Sequence, residues 1–172
     1  MVVKCHSIQE LIDELQKYKK TMQSKNSQFI ARLLNEGFTL ATNYVDAISP
    51  VYKGDTTISI GVEDKGKAVK GYVYMNGKDV AFIEFGAGVT FNGSAGSSPH
   101  PKGTELGLTI GSYGKGQGAN PWGWWFTRHY GASDTKGVKE HSYGNPAYMP
   151  LYKTLLELKN KVADIAKEVY GG

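Results

Sequence analysis

Glycine constrains this chain more than any other residue, through where it falls. Of the 22 glycines, 14 lie between Gly86 and Gly144. Glycine loses the most backbone freedom on ordering, so residues 86–145 resist assignment to regular structure. The composition changes near 86 and again near 145. A single domain of 172 residues is therefore expected, in four parts. These are a helical N-terminal part (7–48), a β-meander (56–85), a Gly-rich mobile loop or extended hairpin (86–145) and a C-terminal helix (146–171).

The flanking parts carry clear periodicities. Ser7-Ile8-Gln9-Glu10 is a capping box, and a helix from Ile8 to Lys20 follows, with Ile8, Leu11, Ile12 and Leu15 on one face. A second helix is expected from Ser27 to Ile48, with a bend or break at Gly37, which weakens a helix interior by about 1 kcal/mol relative to Ala. Ser49-Pro50 stops it. Alternation predicts strands at Ile58–Val62, Val69–Tyr74 and Val80–Phe85, the last two joined by the hairpin signal Asn76-Gly77. Pro150 suits the first turn of the closing helix, whose apolar stripe is Leu151, Leu155, Leu158, Val162, Ile165 and Val169, with Gly171 as its cap. The fold class is α+β: an antiparallel sheet packed against a long N-terminal helix and a C-terminal amphipathic helix, with a long Gly/Trp-rich loop.

Composition narrows function. There are 20 Lys and Arg against 16 Asp and Glu, spread without a like-charged block, unlike a dedicated duplex-DNA binder. No apolar run approaches a membrane span, and the start of the chain lacks a signal-peptide stretch. The single cysteine, Cys5, makes no internal disulfide.

Candidate chemistry is sparse. His6, His100, His129 and His141 stand 94, 29 and 12 positions apart, unlike the tight ligand pairs of zinc sites, so no metal and no cofactor is expected. Cys5 with a histidine and Asp134 lacks any nucleophile-elbow or oxyanion context. Gly114-Lys115-Gly116-Gln117-Gly118 lacks the spacing and the following helix of a P-loop and reads as a flexible turn. Glu84 has no local second carboxylate, so it is expected to make a structural hydrogen bond at a strand end. Possible strands lie at Leu106–Ile110 and Trp122–Tyr130. On the second, Trp122, Trp124 and Phe126 would share one face. Trp122, Trp124, Trp125 and Arg128 could stack on sugars or unpaired bases, but a core or subunit-contact strand is the favoured reading.

Two stretches together resemble a known family. Ala81-Phe-Ile-Glu-Phe-Gly-Ala-Gly88 ends in Glu-Phe-Gly-x-Gly, and Asn145-Pro-Ala-Tyr-Met-Pro150 opens the closing helix. They are similar to the small tail-component proteins of long-tailed siphophages, described as minor tail, neck or tail-completion (head–tail joining) proteins. There a Tyr/Phe-x-Glu-Phe-Gly-Thr-Gly motif follows the central strands, and a Pro-x-Pro-Phe-Met/Leu-x-Pro-like motif precedes the last helix. Glu84, Phe85, Gly86 and Gly88 match the first; Pro146, Tyr148, Met149 and Pro150 match the second. Ala87 replaces Thr and Tyr148 replaces Phe. The resemblance implies a non-enzymatic virion structural protein of the neck or upper tail, assembled in the host cytoplasm as a ring, read as a hexamer. Its partners would be itself and the neighbouring connector and tail-tube or terminator proteins, with no membrane and with DNA only passing through the lumen. The matched residues, with Trp122, Trp124 and Trp125, are the expected assembly surface. The alternative is a carbohydrate- or single-stranded nucleic-acid-binding module built on the Trp-rich strand.

Overall fold

The computed structural model describes residues 7–64, 68–93, 98–107, 117–129 and 134–171. Cys5, His6, the Gly114–Gly116 part of the glycine turn and residues 108–110 of the expected Leu106–Ile110 strand lie outside them. The chain is α+β: a long N-terminal helix, a C-terminal helix and two small antiparallel sheets.

Helix α1 runs unbroken from Ile8 to Asp46, where two helices were expected. The Ser7 side chain accepts from the Glu10 N–H at 3.1 Å and starts it. The polar stretch from Thr21 to Ser27 does not interrupt it. It holds no Pro or Gly, and the Thr21 and Ser27 hydroxyls donate to the carbonyls of Lys17 and Gln23, both at 3.1 Å. Nor does Gly37 break it. A Cβ there would come within 3.0 Å of both Leu158 and Val73, so Gly37 marks the close approach of three elements.

After a short helix α2 (Pro50–Lys53), strands β1 (Thr57–Asp64) and β2 (Val69–Asn76) pair antiparallel, Thr57 opposite Asn76 and Asp64 opposite Val69. The expected third strand is instead helix α3, Val80–Phe85, so the meander is a two-stranded hairpin. Asn76-Gly77 ends β2 rather than joining two strands; Gly77 turns the chain out with φ +143°. A short apolar run fits a buried helix as well as a strand, and burial decides here. The adjacent Ile83 and Glu84 are both buried, whereas neighbours on a strand would face opposite sides.

Strands β3 (Trp124–Arg128) and β4 (Val138–Ser142) make the second hairpin, Trp124 opposite Ser142 and Arg128 opposite Val138. Leu106 and Gly107, expected on a strand, lie in a turn closed by the Leu106 N–H on the Lys102 carbonyl at 3.0 Å.

Helix α4 (Pro150–Tyr170) closes the chain with Pro150 in its first turn and Gly171 as C-cap. It packs antiparallel on α1. The Tyr170 hydroxyl donates to Asn26 at 2.7 Å, the Phe29 and Tyr170 rings lie 5.6 Å apart, and Arg32–Glu168, Glu36–Lys161 and Tyr44–Glu157 follow along the seam. Leu34, Ala41, Val45, Ile48 and Ile83 are buried. Leu34 also packs on Gly71 of β2.

Candidate functional site

The two motifs, far apart in sequence, meet in space. The Ala87 N–H donates to the Asn145 carbonyl at 2.9 Å and the Asn145 N–H to the Ala87 carbonyl at 2.8 Å, an isolated antiparallel bridge. Around it, the Tyr148 N–H donates to the Ile83 carbonyl at 2.9 Å and the Asn145 side-chain amide to the Phe82 carbonyl at 2.7 Å. The second motif is thus stitched to the end of α3 before α4 begins.

At the centre lies Glu84. Helix α4 starts without a capping side chain, because Met149, in the N-cap position, is left-handed (φ 55°) and makes no side-chain cap. The first N–H groups of a helix need acceptors, and Glu84 supplies them from another element. Its Oε2 accepts from the Leu151 N–H at 3.0 Å and its Oε1 from the Tyr152 N–H at 2.9 Å. A carboxylate here also lies at the positive end of the helix dipole. Both side chains of the Glu84–His100 pair are buried, with His100 Nε2 3.1 Å from Glu84 Oε1.

The histidine's other nitrogen fixes its role. The Lys102 N–H points at His100 Nδ1 from 2.9 Å, so Nδ1 is an acceptor and the proton sits on Nε2, donating to Glu84. The ring is held between Phe85 (centroids 4.5 Å apart) and Tyr152 (4.9 Å). The Ser98 hydroxyl donates to the Phe85 carbonyl at 2.5 Å and accepts from the His100 N–H at 3.2 Å. A segment of the Gly-rich region is thereby tied to α3 and α4. Glu84 does make the structural hydrogen bonds expected of it, but at the end of a helix, not of a strand. Its three acceptor contacts all serve the fold, so what this geometry does is lock a joint.

A third residue holds the joint, and sequence reasoning did not single it out. Asn92 donates through Nδ2 to the carbonyls of Ala87, Gly88 and Asn145, at 3.3, 3.1 and 2.9 Å, and its Oδ1 accepts from the Ala147 N–H at 3.0 Å. Its only signal in the sequence is an Asn before a Gly, which reads as turn chemistry. Gly86 has φ +76°, and a Cβ on it would lie 2.7 Å from the Asn92 amide; Gly88 has φ +74°, and a Cβ would lie 2.7 Å from the Tyr143 carbonyl oxygen. The glycines of the first motif are therefore demanded twice, by left-handed backbone and by space.

Tyr148 of the second motif lies 6.0 Å from the Tyr52 ring. Burial, and secondarily Tyr52, push its phenol above the usual tyrosine value. Pro146 and Met149 are half-buried within the same joint, and Pro150 is fully buried.

The tryptophans do not share one face. Trp122 lies in a turn before β3, its N–H donating to Asn120 Oδ1 at 3.0 Å, and is 81% exposed. Trp124 and Phe126 do face one side, where Trp124 approaches Gly88 and Arg128 stands 5.6 Å over the Phe126 ring. Trp125, 65% exposed, faces the other side in an edge-on run with His141 (4.9 Å) and then Tyr143 (4.6 Å). Trp124 therefore belongs to the joint's edge, and Trp122 and Trp125 to open surface.

His129 and His141 stay apart from the Glu84–His100 pair. His129 Nδ1 lies 2.8 Å from the Asp134 carbonyl oxygen, and the Asp134 carboxylate accepts from the Gly137 N–H at 2.8 Å, so Asp134 shapes the β3–β4 turn. Among the described residues no three of His, Cys, Asp and Glu come together as a metal would need, and no helix is long and apolar enough to cross a membrane. Gln117–Ala119 of the glycine turn form one 3-10 turn. No family model matches the chain, and no curated protein or solved structure is significantly similar to it.

Proposed function

We propose that this chain is a virion structural protein of a long-tailed phage or prophage, placed at the neck or head-proximal end of the tail. Identical copies close a ring that completes the tail or joins it to the head, with DNA passing through the lumen and connector and tail-tube or terminator proteins as neighbours. The mechanism is geometric: like subunits in head-to-tail contact close a ring when the rotation between them closes. One observation carries the reading. The two motifs on which the resemblance rests make a single hydrogen-bonded joint, through Glu84 on the first amides of α4 and Asn145 on Ala87 and Phe82. Their contact makes the two stretches one structural unit of this chain, which supports reading them together as one pattern. Negative-stain imaging of the purified protein, with tail-joining complementation of a phage lacking the corresponding gene, tests it. Rings with a lumen and restored infectivity are expected; a protein that forms no ring and rescues no tails refutes the reading.

A second reading is favoured by the open Trp122 and by the Trp125–His141–Tyr143 run. Exposed rings of this kind can stack on sugars or unpaired bases. Binding to a glycan array or to single-stranded DNA, lost in Trp125→Ala without loss of fold, would favour it.

A further inference from the structure

The apolar stripe on the first four turns of α1 stands exposed. Helix α4 ends at Tyr170, beside Asn26 and Phe29, and every described residue from Ser7 to Thr21 is exposed. From Ile8 to Met22 this arm extends ~22 Å at the usual helical rise. It is not a polar extension. Ile8, Leu11, Ile12, Leu15 and Tyr18 recur at helical spacing, and Ile8 is 80% exposed. An amphipathic helix with anchors at i, i+3, i+4 and i+7 is the form that lies in an apolar groove.

The same chain carries such a groove. Between α1, β2 and α4 runs an open channel of about 370 Å³, with Leu34, Val73, Leu155, Leu158 and Val162 among its walls and Lys159 on its α4 side. Leu155 is 52% exposed there, so the apolar stripe of α4 is only partly used by its own protomer. The chain's own arm cannot fill this channel. Arm and channel floor belong to one unbroken helix, and a rigid rod does not fold back on itself. One opposite-charge pair is available to the contact: Glu14, which flanks the arm's stripe 4.0 Å from Lys17 of its own helix, and Lys159, the charged residue bordering the channel.

We propose that the arm, residues 8–22, docks in the α1/β2/α4 channel of a second copy of this chain. The two surfaces are unlike and complementary, so each copy offers one arm and one channel, which is the head-to-tail contact a ring requires. The proposal deepens the ring reading and in that sense rests on it, but the contact can be tested apart from the ring.

The test uses three full-length proteins: the parent, an arm variant (Leu11→Asp with Leu15→Asp) and a channel variant (Leu155→Asp). The arm substitutions fall on exposed residues, and thermal unfolding checks that each variant remains folded. Sedimentation velocity across concentration should show self-association of the parent, weakened about a hundredfold in either variant. Mixing the two variants should restore a pairwise complex and nothing larger, because one intact arm and one intact channel remain. A labelled peptide of residues 7–24 should bind the arm variant and not the channel variant. If the channel variant misfolds, Val162→Asp, with its side chain at the channel's open side, replaces it. Variants that associate as the parent does, a mixture that restores nothing, a parent that stays monomeric, or a channel variant that pairs through arms alone would each overturn the proposal. A parent that forms only arm-dependent dimers would uphold the contact and refute the ring. Rings unaffected by both variants would do the reverse.

Discussion

Removing the charge from Glu84 tests the joint most directly. In Glu84→Gln the side chain keeps its shape but has one carbonyl oxygen for three donors: the Leu151 and Tyr152 N–H groups and His100 Nε2–H. The new amide NH₂ must face at least one of these, donor against donor. A buried donor left unsatisfied costs about 1–3 kcal/mol, and losing a negative charge at a helix N-terminus costs about 0.5–1 more. The Leu151 and Tyr152 bonds cannot both be kept, and Met149 in the N-cap position makes no side-chain cap to replace either. The expected destabilisation is about 1.5–4 kcal/mol, which for a chain of this size lowers the melting temperature by about 3–16 °C. Urea unfolding supplies the free energy. Amide exchange gives the location, with the Leu151 and Tyr152 amides losing protection first. His100→Phe, which keeps the ring between Phe85 and Tyr152, completes a double-mutant cycle with an expected coupling of about 1 kcal/mol or more. A Glu84→Gln change below about 0.5 kcal/mol, the range of an ordinary surface substitution, would refute the reasoning.

Three further outcomes follow from the same contacts. Gly86→Ala should destabilise by about 2 kcal/mol or more, since the left-handed backbone alone costs about 1–2 and the new Cβ would displace the Asn92 amide; urea unfolding reads it, and a neutral result would remove Asn92 from the joint. Trp124→Ala should destabilise by about 2 kcal/mol while Trp125→Ala stays within about 0.5, so equal effects in thermal unfolding would contradict the separation of the two faces. The Tyr44, Tyr72 and Tyr148 phenols titrate above the usual value. Tyr44 and Tyr72 do so first because they donate to Glu157 and Glu63, and Tyr148 because it is buried. These protons are held more tightly when folded, so their stabilisation is complete below the unfolded value of about 10 and is lost as pH rises through the folded values. Phenolate absorbance of native against urea-unfolded protein should show the offset, and superimposed titrations would contradict it.

The parts of the fold legible in the sequence are those decided locally. The Ser7 cap, the stop at Ser49-Pro50, the β1 and β2 alternation, Pro150 and Gly171 all stand where local chemistry puts them. The misreadings occur where tertiary contacts outweigh local preference. Thr21 and Ser27 looked like a gap between helices, yet their hydroxyls bond back along one helix, and Asn26 meets Tyr170 from 144 positions away. Val80–Phe85 has the β-branched and aromatic residues of a strand. Strand preference largely records how a side chain packs on a half-buried surface, and this segment is enclosed on more than one side, with Ile83 and Glu84 both buried.

The site was legible only in halves. Each motif could be picked out, but nothing in the chain says that a glutamate ending α3 will cap a helix 67 positions later. Capping is usually read from the residue beside the helix; here that residue is Met149, held left-handed, so the local signal is absent because the function has moved elsewhere. His100 looked like one of four scattered histidines, since its meaning depends on Lys102 supplying the N–H that fixes its tautomer and on Glu84 accepting the hydrogen bond from Nε2–H. The same dependence explains the glycines. Gly86 and Gly88 read as loop composition, but they are the points where the chain passes closest to Asn92 and Tyr143. Part of the glycine-rich region is therefore the mould in which the last helix is set. A substitution there would act on α4, and through α4 on the channel that it shares with α1.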